Sequence, residues 1–165
     1  MATLDYTGDA AAGAVPPNQF EGARSGRVDM YRRLKAADII AADADMTTNG
    51  YITADDIIQA LHIPIGFIFE GCAVRVITPS TNACNVEVGT NGNAEALASM
   101  DIDGTAGVIT ATITTDSWAH GKCFYAADTI DVQYITANCT DGEIELFVWG
   151  TQLLLGLTTD FTTGA

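Results

Sequence analysis

Positive charge is scarce in this sequence. Its 165 residues contain 7 Lys and Arg against 21 Asp and Glu, which gives a formal net charge of −14 at pH 7. Because phosphates repel an acidic surface, this composition argues against a nucleic-acid partner. The chain also lacks an uninterrupted apolar run of about 18 residues, the length that a membrane helix needs. The longest candidate, Ile63 to Val76, contains Glu70 and Arg75, so we expect no membrane partner.

Motifs for catalysis and cofactor binding are absent as well. The sequence contains no Gly-x-Ser-x-Gly, no phosphate-binding glycine loop and no His-Glu-x-x-His. Its two histidines are His62 and His120. The pair His120 and Cys123 has no evident third metal ligand and no evident orienting carboxylate. We therefore expect no cofactor, and an enzyme is the least favoured of the three classes of function considered below.

The four cysteines have no Cys-x-x-Cys spacing, which excludes a zinc ribbon. They are Cys72, Cys84, Cys123 and Cys139. Met1 to Asp9 has neither the basic start nor the apolar centre of a secretory signal. We therefore interpret the cysteines as buried, reduced thiols of a chain that folds in a reducing compartment.

The charge that is present is distributed unevenly. Five of the seven basic residues lie within the first 35 positions: Arg24, Arg27, Arg32, Arg33 and Lys35. Residues 1–35 therefore carry a net charge of +1 and the remainder carries −15. Pro16-Pro17 is extended and cannot lie inside a helix, whereas Val28 to Ala42 fits either a short helix or an extended strand. We interpret residues 1–49 as an N-terminal arm and lead-in segment. Its five cations are candidates for contact with a partner, or they only keep the segment solvated.

From Gly50 onward apolar and polar residues alternate with a period of two, which is typical of half-buried antiparallel strands. The clearest segments are 66–78, 84–88, 108–115, 130–134 and 143–149. The pattern predicts a mainly β protein, with an antiparallel β-sandwich or jelly-roll-like domain over residues 50–155 and a C-terminal tail over 156–165. Ala94 to Met100 is the one later segment that favours a helix.

Two acidic segments are similar to cation-binding loops. Asp45 to Asp56 aligns with calcium loops of the EF-hand and dockerin kind, with Gly50 at the turn position. It departs from them at Thr47, a ligand position, and in ending on Asp instead of Glu. The second segment is Asp101-Ile102-Asp103-Gly104. Because turns rich in Asp, Asn and Gly form without metal, we interpret both as polar turns and expect no metal.

The strand predicted at Glu143 to Trp149 has an unusual second face. Alternation directs its three aliphatic residues to the core and leaves Phe147 and Trp149 on the opposite face, beside two glutamates. Large aromatic side chains exposed together tend to mark contacts between subunits. We therefore predict that Phe147 and Trp149 lie in a subunit interface. The alternative is that the arm or a loop of the same subunit covers them.

The order of these segments is similar to that of a known protein family. Thr53 to Thr78 combines a polar turn, a short strand, an Ile-Pro-x-Gly corner and a long strand. Val86 to Gly89, an Asn/Gly loop, the turn at 101–104 and the strand at 143–149 follow. Over about residues 50–155 this order resembles the capsid decoration (cement) proteins of tailed bacteriophages. The arginine-bearing segment 21–42 has no counterpart in that pattern.

The resemblance implies a β-sandwich that assembles as a homotrimer and extends an arm across a capsid shell. It implies the major capsid protein as partner, assembly in the bacterial cytoplasm and a final position on the outer surface of the virion. The alternative function is a non-catalytic binding module, such as a carbohydrate- or receptor-binding β-sandwich on a fibre or surface. A concave face with exposed aromatics would favour the binding module, and a self-complementary surface would favour the cement subunit.

Overall fold

The computed structural model describes residues 3–5, 27–90, 93–107, 109–110 and 121–153. Nine strands are described: β1 (Thr3–Asp5), β2 (Arg27–Lys35), β3 (Ile57–Ile63), β4 (Phe67–Thr78), β5 (Asn85–Thr90), β6 (Asn93–Asp101), β7 (Ile109–Thr110), β8 (Asp128–Ile135) and β9 (Glu143–Gln152). Two short helices, α1 (Ala36–Ala42) and α2 (Ala44–Asn49), lie between β2 and β3. Within these ranges, no helix is long and apolar enough to cross a membrane.

The strands form two sheets around one core, which confirms the predicted β-sandwich. One sheet has five strands in the order β1-β3-β8-β5-β6, and the other has four in the order β2-β9-β4-β7. The described pairs are antiparallel except β1 with β3, which is parallel. Alternate residues of both sheets fill the space between them, with Phe67, Phe69, Val132 and Tyr134 among the buried side chains. The period-two pattern therefore predicts correctly which residues of these strands face the core.

The segment Val28 to Ala42, for which the sequence left a helix and a strand open, contains both. Arg27–Lys35 pairs with β9 along its whole length, and α1 begins directly after it at Ala36. The strand conformation is favoured here because alternate residues, among them Met30 and Leu34, then reach the core. The sandwich thus begins before residue 50. Residues 6–26 of the predicted arm and the predicted tail at 156–165 lie outside the described residues.

The prediction of a helix at Ala94 to Met100 is wrong, because this segment belongs to strand β6. It pairs with β5 in antiparallel register, from Asn85 opposite Asp101 to Val88 opposite Ala98. Alanine, glutamate and leucine favour a helix, but the propensity of each is worth only tenths of a kcal/mol. Pairing with an existing sheet outweighs it. Of the strand predicted at 108–115, the structure describes Ile109 and Thr110, which form β7. The other residues of that prediction lie outside the described residues.

The segment that aligned with a calcium loop begins as helix α2. The Asp43 side chain caps this helix by accepting hydrogen bonds from the backbone of Asp45 and Met46, both at 2.9 Å. Gly50 ends it with a φ of 77°, a left-handed conformation that favours glycine. The first part of the segment is therefore helical, which neither the calcium-loop alignment nor a simple Asn-Gly turn predicted. In the described part of the chain, no three His, Cys, Asp or Glu side chains are grouped to hold a metal ion.

The packing between β4 and β9 requires a glycine at position 150. A Cβ atom there would lie 2.1 Å from the carbonyl oxygen of Ile68 and 2.6 Å from Cζ of Phe67. Both distances are far below van der Waals contact. The first involves backbone, so a side-chain rotation cannot relieve it.

We expect Gly150→Ala to lower the free energy of unfolding by about 2–4 kcal/mol, because the strands must separate to admit the methyl group. Urea denaturation measures the change. Gly104→Ala is the matched control, since nothing lies within 4 Å of a Cβ at that position, and it should shift the value by less than about 0.5 kcal/mol. Equal stability of the two variants would contradict the packing described here.

Candidate interface on the four-stranded sheet

Strand β9 presents the predicted interface residues on the face of the four-stranded sheet that is turned away from the core, which we call the outer face. Ile144, Leu146 and Val148 are buried on the inner side, as alternation predicted. Phe147 and Trp149 lie between them along the strand and are half-buried. Because β2 pairs on one side of β9 and β4 on the other, neighbours from both strands share the outer face with these aromatics.

The Phe147 ring is held between residues of both neighbouring strands. Tyr31 on β2 is its register partner, and their ring centroids are 5.1 Å apart with the planes tilted by 43°. The guanidinium carbon of Arg75 on β4 lies 6.0 Å from the centroid of the Phe147 ring. Tilted aromatic pairs and cations near a ring are both attractive geometries. One side of Phe147 is thus packed within its own subunit.

A buried carboxylate joins the same residues. Glu145 is 7% exposed. Its Oε1 accepts a hydrogen bond from the Tyr31 hydroxyl at 2.6 Å, and its Oε2 accepts one from Nε of Arg75 at 2.7 Å. Burial by itself raises the pKa of Glu145, but the hydrogen bonds and the positive charge of Arg75 outweigh it, so the pKa lies below its usual range. Glu145 therefore remains ionised and fixes the orientation of both partners.

Trp149 occupies a different position on the outer face. Gly71 on β4 is its register partner. A Cβ atom at that position would lie 2.5 Å from Cζ2 of the Trp149 ring. The indole therefore packs against the Gly71 backbone, where there is no side chain. This contact covers one side of the ring and leaves the ring half-buried.

The five cations predicted as contacts are separated by the fold. Arg33 is exposed on the outer face and forms an ion pair with Glu143, and Lys35 is the exposed register partner of Glu143. Arg32 points the other way and is 1% exposed, so its side chain does not reach the surface. Arg27 begins β2 opposite Thr151, and its side chain is outside the description. Arg24 lies outside the described residues.

Two residues of the outer face were missed by sequence reasoning. Tyr31 belongs to the segment whose conformation was left open, and a strand there places it on the face opposite Met30. Arg75 was noted only as an interruption of an apolar run. Alternation within β4 put it on the outward face, but its position beside Glu145 depends on the β4–β9 register. No pattern within either segment shows that register.

Of the His120–Cys123 pair, only the cysteine falls in the described ranges. Cys123 is half-buried and forms an isolated bridge with Ile68 at the edge of β4. Asp101 and Asp103, the second cation candidate, form a local turn in which Oδ1 of Asp101 accepts a hydrogen bond from the backbone of Asp103 at 3.1 Å. Such a turn satisfies the carboxylate from within the chain.

The outer face therefore combines aromatic rings with charges that are already paired inside one subunit. Tyr31, Phe147 and Trp149 are half-buried and expose part of their surface, and the charges of Glu143 and Glu145 are matched by Arg33 and Arg75. A partner that covers this face would bury apolar ring surface without leaving these carboxylates unpaired. That composition suits a protein–protein contact.

Solved structures with the same fold come from phage capsids. A chain in the structure "Capsid of Ralstonia phage GP4" is 16% identical with a TM-score of 0.55, over 92% of this chain and 99% of that one. A chain in "Cyanophage Pam1 capsid asymmetric unit" is 17% identical with a TM-score of 0.54, over 77% of this chain and 85% of that one. No protein-family model matches the sequence. No curated protein matches it either. At these identities the likeness shows a shared fold.

We expect Tyr31→Phe to keep the packing on Phe147 but to lose the hydrogen bond to Glu145. The free energy of unfolding should fall by about 1.5–3 kcal/mol, the usual range for a hydrogen bond to a charged group. Urea denaturation measures it. Tyr125→Phe is the control because Tyr125 is 87% exposed, and its stability should stay within about 0.5 kcal/mol of the parent.

The Tyr31 hydroxyl also predicts the direction in which stability changes at alkaline pH. Burial, followed by the hydrogen bond to Glu145 and its negative charge, raises the pKa of Tyr31 from 10.0 to about 12. A raised pKa means that the contribution is complete below pH 10 and is lost as the pH rises towards 12. The stability difference between the parent and Tyr31→Phe should therefore shrink over that window. A constant difference across it would contradict the assignment.

Proposed function

We propose that this protein is a structural component of a phage virion, associated with the capsid shell. The observation that carries the proposal is the shared fold with a chain of the Ralstonia phage GP4 capsid, which extends over 92% of this chain and 99% of that one. The extent matters because the two chains correspond along almost their whole length and not in one common motif. The outer face, whose composition suits contact with protein, supports the same function.

Within that function, the chain is a decoration subunit that stabilises the outside of the shell as a homotrimer. The acidic composition, with a net charge of −14, disfavours a position against packaged DNA and supports an outward one. A cement subunit acts through buried contact area and needs no catalytic cleft. Phe147 and Trp149 supply the aromatic centre of the contact between subunits around the symmetry axis, where such residues contribute most.

A carbohydrate-binding module would use the same aromatic residues, Phe147 and Trp149, to contact its ligand. Sugar-binding platforms present an open ring face to the ligand, whereas Phe147 packs against Tyr31 and Arg75 and Trp149 packs against Gly71. Both rings are half-buried and expose part of their surface, and we take a neighbouring subunit as the occupant of that surface. Saturable binding of a monosaccharide to the outer face, abolished by Trp149→Ser, would favour the module instead.

Addition to expanded phage shells that lack decoration tests the function directly. We expect the purified protein to bind such shells saturably, with a fixed ratio to the major capsid protein, and to raise their resistance to heat. Sedimentation of the shells and gel densitometry measure the ratio. Failure to bind any shell from a related phage, by a protein shown to be folded, would contradict the proposal.

The same measurement tests the arm. We expect a truncation that removes residues 1–26, and with them the three-residue edge strand β1, to keep the rest of the sandwich folded and to reduce shell binding at least tenfold, because an extended arm adds contact area. A truncation that removes residues 1–35 is the comparison. It deletes β2, whose nine residues pair with β9, and should unfold. Shell binding by the shorter truncation equal to that of the intact chain would refute the role of the arm.

Replacing Phe147 and Trp149 together tests the subunit contact. We expect Phe147→Ser/Trp149→Ser to sediment as a folded monomer, because the buried aromatic surface of the interface is removed. Ile109→Ser is the control, since Ile109 is exposed on β7 at the far edge of the same sheet, and it should leave the oligomer unchanged. The pair Phe147→Thr/Trp149→Thr, which keeps a higher strand propensity, guards against unfolding.

Two results would contradict this contact. A doubly substituted protein that stays trimeric with unchanged stability would show that the aromatics lie outside the interface. Unfolding of both double variants would show that the residues are covered within one subunit.

A further inference from the structure

Three of the four large apolar side chains that the described residues expose to solvent lie at one end of the sandwich. Ile65 is 50% exposed, Tyr125 is 87% exposed and Leu153 is 42% exposed. The fourth, Ile109, lies on β7. We call the first three the end patch. Because grouped apolar side chains on a surface tend to mark a binding site, the end patch calls for an occupant.

A turn between β3 and β4 positions Ile65. Residues Pro64 to Phe67 form this turn, which is closed by a hydrogen bond from the backbone N–H of Phe67 to the carbonyl of Pro64 at 3.2 Å. Gly66 occupies its third position with a φ of 84°, where glycine is favoured. The side-chain amide of Gln152 donates a hydrogen bond to the carbonyl of Ile65 at 2.6 Å. The turn is therefore fixed to the end of β9.

Gly66 brings the other two members of the end patch to the same place. Its N–H donates a hydrogen bond to the carbonyl of Phe124 at 2.7 Å, and its carbonyl accepts one from the N–H of Leu153 at 2.9 Å. Tyr125 follows Phe124 directly. Since bonded neighbours are about 3.8 Å apart and hydrogen-bonded strands about 5 Å apart, the Cα atoms of the end patch lie within roughly 10 Å of that of Gly66.

The residues next to the end patch are apolar and include one positive charge. Phe124 is buried and packs on Phe67, with ring centroids 6.4 Å apart. The Nζ atom of Lys122 lies 4.7 Å from the centroid of the Phe124 ring. Lys122 is the only Lys or Arg between residues 76 and 153. An occupant that combines apolar side chains with a negative charge therefore matches this end of the sandwich.

We propose that residues 154–165 of the same chain fold back and dock on the end patch. This segment contains four large apolar residues: Leu154, Leu155, Leu157 and Phe161. Its one charged residue is Asp160. In the docked segment Leu157 and Phe161 bury the apolar surface, and Asp160 faces the positive charge of Lys122.

The connection along the chain favours this segment over other occupants. It begins directly after Leu153, a member of the end patch, and its 12 residues span up to about 40 Å when extended, well beyond the size of the patch. Gly156 permits a reversal of the chain, because glycine adopts conformations that other residues rarely do. A tethered segment also has an effective concentration in the millimolar range, which favours it over a separate protein of the same chemistry.

Docking in this way gives the segment a function of its own. It covers an apolar surface that would otherwise associate with a second copy of the protein. Contacts between subunits are thereby directed to other surfaces. Because the contact lies within one chain, it forms whether or not the protein binds a shell, and its tests are separate from those of capsid binding.

Photo-cross-linking in the full-length protein tests the contact. Benzoylphenylalanine replaces Phe161, and protein labelled with a heavy nitrogen isotope is unfolded and refolded together with unlabelled protein before irradiation. We expect peptide mapping to join position 161 to the peptides that contain Ile65 or Tyr125, and both peptides of each cross-link to have the same isotope. Benzoylphenylalanine in place of Ile109 is the control, which should not cross-link to those peptides.

Melting temperatures of variants report the same contact by its energy. We expect Tyr125→Ser and Phe161→Ser each to lower the melting temperature by about 2–4 °C. The double variant should fall no further than the more affected single variant, because both substitutions remove one shared contact. Ile109→Ser is the matched control. Its effect and that of Phe161→Ser should add, because Ile109 lies on β7 and not in the end patch.

Three results would overturn the proposal. Cross-links between peptides of different isotope would identify a second copy as the occupant. Cross-links from position 161 to other parts of the sandwich only, or none at all, would show that the segment does not dock here. Additive effects of Tyr125→Ser and Phe161→Ser would show that the two residues share no contact. The cross-linking result decides even if a serine variant fails to fold.

Discussion

Hydrogen bonding of β9 to β2 on one side and to β4 on the other is the interaction on which the rest of the sandwich depends. It places β9 between its two partners, and the alternation of its residues then serves two purposes. Ile144, Leu146 and Val148 close the core, and the residues between them build the outer face. Because a shift of one residue would exchange the two faces, the register of β9 determines both stability and the candidate contact.

The outer face also shows how an acidic protein accommodates carboxylates within a sheet. Glu145 is almost fully buried, and burial of an unpaired charge is strongly unfavourable. Tyr31 and Arg75 supply hydrogen bonds from the two strands that flank β9. The carboxylate therefore links three strands on the side that carries the aromatics. Side chains that are already held by hydrogen bonds lose little further conformational entropy when a surface is covered.

Alternation in the sequence by itself determined the class of the fold, because a half-buried strand must repeat every two residues. It also determined which face Phe147 and Trp149 occupy. Only the tertiary structure decided that Ala94 to Met100 is a strand and that Arg32 is buried while Arg33 is exposed. It alone brought Tyr31 and Arg75 to Glu145. Those outcomes depend on pairing and register between segments that are distant in the chain, whereas a local pattern contains information only about its own periodicity and propensity.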